Sequence, residues 1–144
     1  MEPSNQILKE VAELFFSVWK DDGRFKLYPE GGIYPCHTAH AVNLLCNMGY
    51  TFDERIQKTL QHLVEIRHID NGLRCNKFSF GKGPETESSN PFSTLIAMNA
   101  FRFNGYVYDE SYVDGAVEFL LNHWTIRKPI GPYHYGMGTL FMQV

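Results

Sequence analysis

The feature that most constrains the fold of this chain is an internal repeat. The segment from Cys36 to Gly72 is followed by a diverged second copy of the same pattern. The matched positions are Thr38 and Thr94, Ala41 and Ala97, Asn43 and Asn99, Gly49-Tyr50 and Gly105-Tyr106, and Asp53-Glu54 and Asp109-Glu110. A spacing near 50 with two helical patterns in each copy is typical of arrays in which each helix pair buries its apolar face on the next. The repeat therefore predicts an all-α fold.

Hydrophobic periodicity and helix-end signals predict five helices and the start of a sixth. The first is capped by Ser4 and ends at Asp21-Asp22-Gly23, the second covers about Cys36 to Met48, the third runs from Asp53 to Asp70-Asn71-Gly72, the fourth covers about Pro91 to Asn104, the fifth begins at Asp109, and the sixth begins near Thr139. Residues 73 to 91 have neither helical nor strand periodicity, which predicts a long loop between the third and fourth helices.

The helices are predicted to alternate between an inner and an outer position. The fourth helix is apolar nearly all round, as a helix buried between neighbours would be, whereas the first, third and fifth are amphipathic. The amphipathic helices align with one another at Leu14, Leu63 and Phe119, at Phe15, Val64 and Leu120, and at Trp19, His68 and Trp124. This alignment predicts that Leu63 and Leu120 are core residues.

Length and composition indicate one globular domain covering residues 1 to 144. The net charge of −3, without a basic stripe, argues against a nucleic-acid partner. We expect no membrane span, because no apolar run approaches about 18 residues, and a cytoplasmic location, because the first residues lack the features of a signal peptide. Three cysteines, Cys36, Cys46 and Cys75, do not suggest a disulfide framework in such a chain.

The last six residues, Thr139 to Val144, repeat the phase of Thr38 and Thr94 and resemble the first turns of another inner helix. A helix that begins here would expose apolar residues with nothing to pack on. The pattern therefore predicts either the remainder of a longer array or self-association of the chain.

An inner helix that runs HTAHAVNLL, a Gly-Tyr turn, an Asp-capped outer helix and a closing Asp-Asn-Gly resemble the repeat of the terpenoid cyclase and protein prenyltransferase superfamily. Asp22-Gly23-Arg24-Phe25 is similar to the Asp-Gly-Gly-aromatic turn that ends the repeats of that superfamily. The resemblance covers roughly residues 5 to 144. It implies part of an α/α toroid, with about half of the family's helix pairs and inner helices around a central cavity for a hydrophobic, isoprenoid-like ligand.

The catalytic motifs of that superfamily do not accompany the repeat. The Asp-x-Asp-Asp acid, the zinc pattern of the prenyltransferases and the Gln-Trp motif are all missing from the sequence. A catalytic activity therefore stays open, and the alternative is a non-catalytic toroid module for protein association. A third alternative, a carbohydrate-active α/α barrel, would need paired carboxylates on the cavity face, whereas the inner helices carry neither Asp nor Glu.

One face of the inner helices is the candidate wall of a ligand cavity. His40, Asn43 and Asn47 recur at helical spacing on the second helix, and the fourth contributes Asn99 and Phe103. His40 is the candidate general base because imidazole titrates near neutral pH, although the spacing identifies no acid to pair with it. The competing interpretation is that these are hydrogen-bonded polar groups without a ligand.

A zinc ion is the candidate cofactor, with Cys36, His37, Cys75 and His134 as its ligands. The alternation of short and long connections brings all four residues to one end of the array, and thiolate and imidazole are donors that suit zinc. Neighbouring helical residues point about 100° apart, so Cys36 and His37 are not expected to bind one ion together. The alternative is that Cys36 is a small buried residue and His37 a hydrogen-bonding group at the helix start.

Overall fold

A computed structural model describes residues 5 to 74, 89 to 102 and 110 to 126. These ranges contain five α-helices, which are α1 (Gln6–Ser17), α2 (Pro35–Asn47), α3 (Glu54–Glu65), α4 (Pro91–Phe101) and α5 (Glu110–Ile126). In this part of the chain the only extended pairing is one isolated antiparallel bridge between Trp19 and Phe25. The all-α prediction is confirmed, while closure into a toroid stays a prediction. The predicted sixth helix lies outside the described residues.

The helix ends follow from local sequence signals. Asn5, rather than Ser4, caps α1 by accepting the Ile7 N–H, and Asp53 caps α3 by accepting the Arg55 N–H. Pro35 and Pro91 occupy the first turns of α2 and α4, where the missing N–H costs nothing. Because α1 ends at Ser17 and α3 at Glu65, the Asp-containing segments predicted to end these helices instead form separate turns.

Helices α1 and α3, which are predicted to be outer helices, match each other in length and in the position of their caps. Each is 12 residues long, and the caps Asn5 and Asp53 fall at equivalent positions. The predicted alignment of Leu14 with Leu63 is therefore wrong by one residue, and Phe15 is the equivalent of Leu63. Leu63 is fully buried and Phe15 packs on the core, whereas Leu14 is 68% exposed.

The turns that follow α1 and α3 are also copies of each other. The Lys20 N–H donates to the Arg24 carbonyl at 2.8 Å, and the His68 N–H donates to the Gly72 carbonyl at 3.0 Å. The next residue of each turn ties it to an inner helix. Phe25 N donates to Thr38 Oγ1 on α2 at 3.1 Å, and Leu73 N donates to Thr94 Oγ1 on α4 at 2.8 Å. The repeated threonine found in the sequence therefore anchors one turn in each copy.

The inner helices α2 and α4 pack side by side and provide the centre of the core. Helix α4 also packs on α3 and α5, in agreement with its all-round apolar sequence. The core is built from fully buried side chains of every helix and of both turns, including Ala12, Phe25, Val42, Leu45, Leu63, Leu73, Ala97 and Ala116. Leu120, predicted as core, is only partly buried. In the described ranges, none of the helices combines the length and apolar character needed to cross a lipid bilayer.

Candidate functional site

The exposed face of α2 carries three residues at positions that share one side of a helix. His40 and Asn47 are exposed, and Leu44 between them is 41% exposed, while Ala41, Val42 and Leu45 turn into the core. Asn43 is half-buried at the edge of this face. This face of α2 therefore exposes both polar and apolar side chains, and its role as the wall of a ligand cavity stays a prediction.

The N-terminal half of this face ends in an aromatic pair formed by α2 and α4. The rings of His40 and Phe92 lie 5.5 Å apart at an interplanar angle of 57°. Partial burial lowers the pKa of the His40 imidazole, which favours its neutral form near pH 7. A neutral imidazole can accept a proton, but the sequences of α2 and α4 contain no carboxylate that could act as a partner acid.

The other half of the face is a polar cluster. Asn47 Nδ2 donates to the Asn43 carbonyl at 2.8 Å, and Asn47 Oδ1 accepts from Arg102 Nη2 at 3.3 Å. Arg102, which directly follows α4, gives this end a positive charge. Asn99 is half-buried on α4, and Phe103 lies outside the described residues. The structure thus brings Asn43 and Asn47 together with a cation that is not among the residues predicted from the sequence.

Phe92 and Arg102 are the two residues of this face that were missed from the sequence. A signal for Phe92 was present, because the repeat equivalent of His40 is Ile96 and Phe92 lies one helical turn before it. No comparable signal marks Arg102, because it follows the helix and is the repeat equivalent of Cys46, a buried residue. Burial raises the pKa of the Cys46 thiol to about 11, against an opposing hydrogen bond with Thr51, so this cysteine stays protonated.

Two of the four candidate zinc ligands lie in the described residues. Cys36 is buried with 4% exposure, and the His37 ring packs between the rings of Tyr28 and Tyr34, each at a centroid distance of 5.3 Å. Cys75 and His134 lie outside the described residues. Among the residues that the structure does describe, no group of three or more His, Cys, Asp or Glu side chains could hold a metal. A zinc site formed from this group of candidate ligands stays a prediction.

Comparison with known proteins adds neither a family nor a relative. No protein-family model matches the chain, and searches of curated proteins and of solved structures find no significant match.

Proposed function

We propose that this chain is a helix-pair repeat protein of toroid type that binds an elongated, isoprenoid-like hydrophobic ligand along the face of α2 and α4. The observation that carries this proposal is the exposed Leu44 between an aromatic end and a cationic polar end. Ligand sites commonly combine an apolar lining with a few polar groups that fix the orientation of the ligand. The assigned function is binding, because His40 is the one titratable group on α2 or α4 that faces this wall.

The apolar part of the ligand would lie along Leu44 and the His40–Phe92 pair. Leu44 is 41% exposed, so a ligand chain that covers it removes that fraction of its surface from water, which contributes about 0.6 to 1.2 kcal/mol. The tilted pair of rings at one end offers further apolar area to the same chain.

The polar end of the ligand would lie at Asn47 and Arg102. The guanidinium of Arg102 can donate to hydroxyl or anionic oxygens, and its bond to Asn47 holds it beside the α2 face. This arrangement favours a ligand with one polar head and one apolar tail over a ligand that is apolar throughout.

The test is a titration with a dansyl-labelled farnesyl chain followed by fluorescence. We expect saturable binding and a dissociation constant about threefold to eightfold higher for Leu44→Gln, because about 0.6 to 1.2 kcal/mol of burial is then lost. The matched control is Ile69→Gln, which removes a 92% exposed apolar side chain from the turn that follows α3. Equal affinities for the parent and Leu44→Gln, or an absence of saturable binding, would refute the proposal.

A further inference from the structure

Each outer helix has two sides that can contact its neighbours in the repeat. We call the side that contacts the following outer helix the forward side, and the side that contacts the preceding outer helix the backward side. On the forward side of α1, the Phe16 ring lies 3.5 Å from the Arg55 guanidinium carbon, and Trp19 Nε1 donates to Thr59 Oγ1 at 3.2 Å. His62 completes the backward side of α3 against the turn that follows α1. These contacts define which helix positions face the neighbouring unit on either side.

Polar residues border the forward side of α1. Glu13 and Ser17 line one wall of an open groove of about 490 Å³. Tyr50 and Arg55 line the opposite wall. Their equivalents on α3 are the exposed residues Gln61 and Glu65, joined by a hydrogen bond of 2.9 Å. On α1 and α3, each of which is followed by another outer helix in the described ranges, the border of the forward side is therefore polar.

The forward side of α5 differs, although the repeat that matches Asp53 with Asp109 aligns α5 with α3. Val117 and Leu121 take the positions of Gln61 and Glu65, and they are 38% and 60% exposed. Partly buried Leu120 takes the position of Phe16. The last outer helix in the described ranges thus presents apolar residues where the repeat places its contact with a following unit.

The backward side of α1 shows the complementary change. Ile7 and Leu14 are the equivalents of Arg55 and His62 on α3, and they are 66% and 68% exposed. On α3 these two positions face the preceding unit. Repeat arrays normally end in units with a polar outer face, because an apolar end would associate. Helices α1 and α5, the first and last in the described ranges, are apolar at the positions where one unit joins the next.

We infer that two copies of this chain associate head to tail, with the α5 side of one copy (Val117, Leu120 and Leu121) against the α1 side of the other (Ile7 and Leu14). The occupant is a second copy because the contact between units inside the chain already joins these two sides, and α1 and α5 differ from that contact by carrying apolar residues in place of polar ones. Such a heterologous contact forms a ring if the rotation closes and an open filament if it does not. The inference is independent of the ligand face on α2 and α4.

The experiment uses sedimentation of the full chain and two variants that copy the internal helix. Val117→Gln/Leu121→Glu gives α5 the residues of α3, and Ile7→Arg/Leu14→His does the same for α1. We expect the parent to form species larger than the 16.6 kDa monomer. We expect each variant alone to raise the dissociation constant at least about tenfold. The control is Ile69→Glu, which should associate like the parent.

Mixing the two variants distinguishes head-to-tail association from other contacts. Each variant retains one intact side, so the mixture should form a one-to-one dimer although neither variant does so alone. A monomeric parent overturns the inference. Continued association of Ile7→Arg/Leu14→His alone also overturns it, because α5 would then be pairing with α5. The dansyl-farnesyl titration on the same variants should be unchanged, which separates this test from that of the ligand proposal.

Discussion

The turn after α1 and the turn after α3 follow the same backbone course but pack on the next outer helix with different residues. In the first turn Gly23 has a φ of 87°, and a Cβ added to it would lie 2.9 Å from the Lys58 carbonyl oxygen. In the second turn the equivalent residue is Asn71, which has a φ of 66°. Its side chain packs against Gly115 on α5, where an added Cβ would lie 3.0 Å from Asn71 Cγ. The close approach at the second junction depends on Gly115 on the helix and on Gly72 on the turn, where an added Cβ would lie 3.1 Å from Phe119 Cδ1.

The carboxylates of the two turns also differ in the hydrogen bonds that they accept. Asp22 accepts from the N–H and the guanidinium of Arg24, inside its own turn. Asp70 accepts from Gly72 N at 3.1 Å, from Ser89 N at 2.9 Å and from the Ser89 hydroxyl, and so connects the turn to the segment that leads into α4. The repeat therefore preserves the backbone geometry, while the interactions that maintain it are specific to each copy.

Among substitutions in the two turns, we expect Gly23→Ala to have the largest effect on stability. The substitution forces a side chain into a left-handed backbone conformation and against the backbone of α3, and should reduce the free energy of unfolding by about 2 to 4 kcal/mol. The control is Gly31→Ala, because Gly31 has a φ of 90° but an added Cβ would meet nothing within 4 Å. Urea unfolding measures both variants. Equal losses would show that the conformation matters and the packing does not.

Asp70→Ala should reduce the free energy of unfolding by about 2 to 3 kcal/mol, because it leaves the donors of Ser89 and Gly72 without their acceptor. Burial alone would raise the pKa of Asp70, but the hydrogen bonds from Ser89 and Gly72 outweigh burial and lower it below 3.8. The stabilisation by its carboxylate is therefore complete above the unfolded-state pKa and is lost as the pH falls through the lower folded-state pKa. Unfolding at a series of pH values checks this, and Asp70→Asn should lose less stability than the parent over that acid range.

Because Asn71 and Gly115 approach each other closely at the second junction, the effects of substituting them on the free energy of unfolding should be coupled by about 1 kcal/mol. Gly115→Ala gains helix propensity of roughly that size but crowds Asn71, so alone it should change stability by less than about 1 kcal/mol. In an Asn71→Gly background the crowding is relieved, and the same change should stabilise the protein by about 1 kcal/mol. A double-mutant cycle measures the difference. Additive effects would mean that Asn71 and Gly115 do not constrain each other.

Much of this comparison could be predicted from the sequence, because turn residues and caps act locally. The five helices, their order and the two Asp-containing turns follow from such signals and from the repeat. The register of α1 could not be predicted, because Ile7 and Leu14 follow the same periodicity as a core stripe although they face outward. Periodicity identifies an apolar face but not the element that covers it.

The candidate site was predictable to the same degree. His40, Asn43 and Asn47 were placed on one face by helical spacing alone, because the face of a single helix depends on its own sequence. Phe92 and Arg102 join that face only through the packing of α4 on α2, which depends on contacts between distant segments. The proposed zinc site likewise depends on segments brought together in space, and its two remaining ligands, Cys75 and His134, lie outside the described residues.

The smallest expected effect is that of Asp22→Ala, the counterpart of Asp70→Ala in the first turn. The bond to Arg24 lowers the pKa of Asp22, so this ion pair is favourable, but the two side chains are 48% and 42% exposed. Exposed ion pairs contribute about 0 to 1 kcal/mol and weaken as salt screens them, and we expect a loss of about 0.5 kcal/mol that shrinks at high ionic strength. Urea unfolding at low and high salt provides the measurement. A loss as large as that of Asp70→Ala would mean that both turns depend on their carboxylates, and that the first junction is not maintained chiefly by the packing of Gly23.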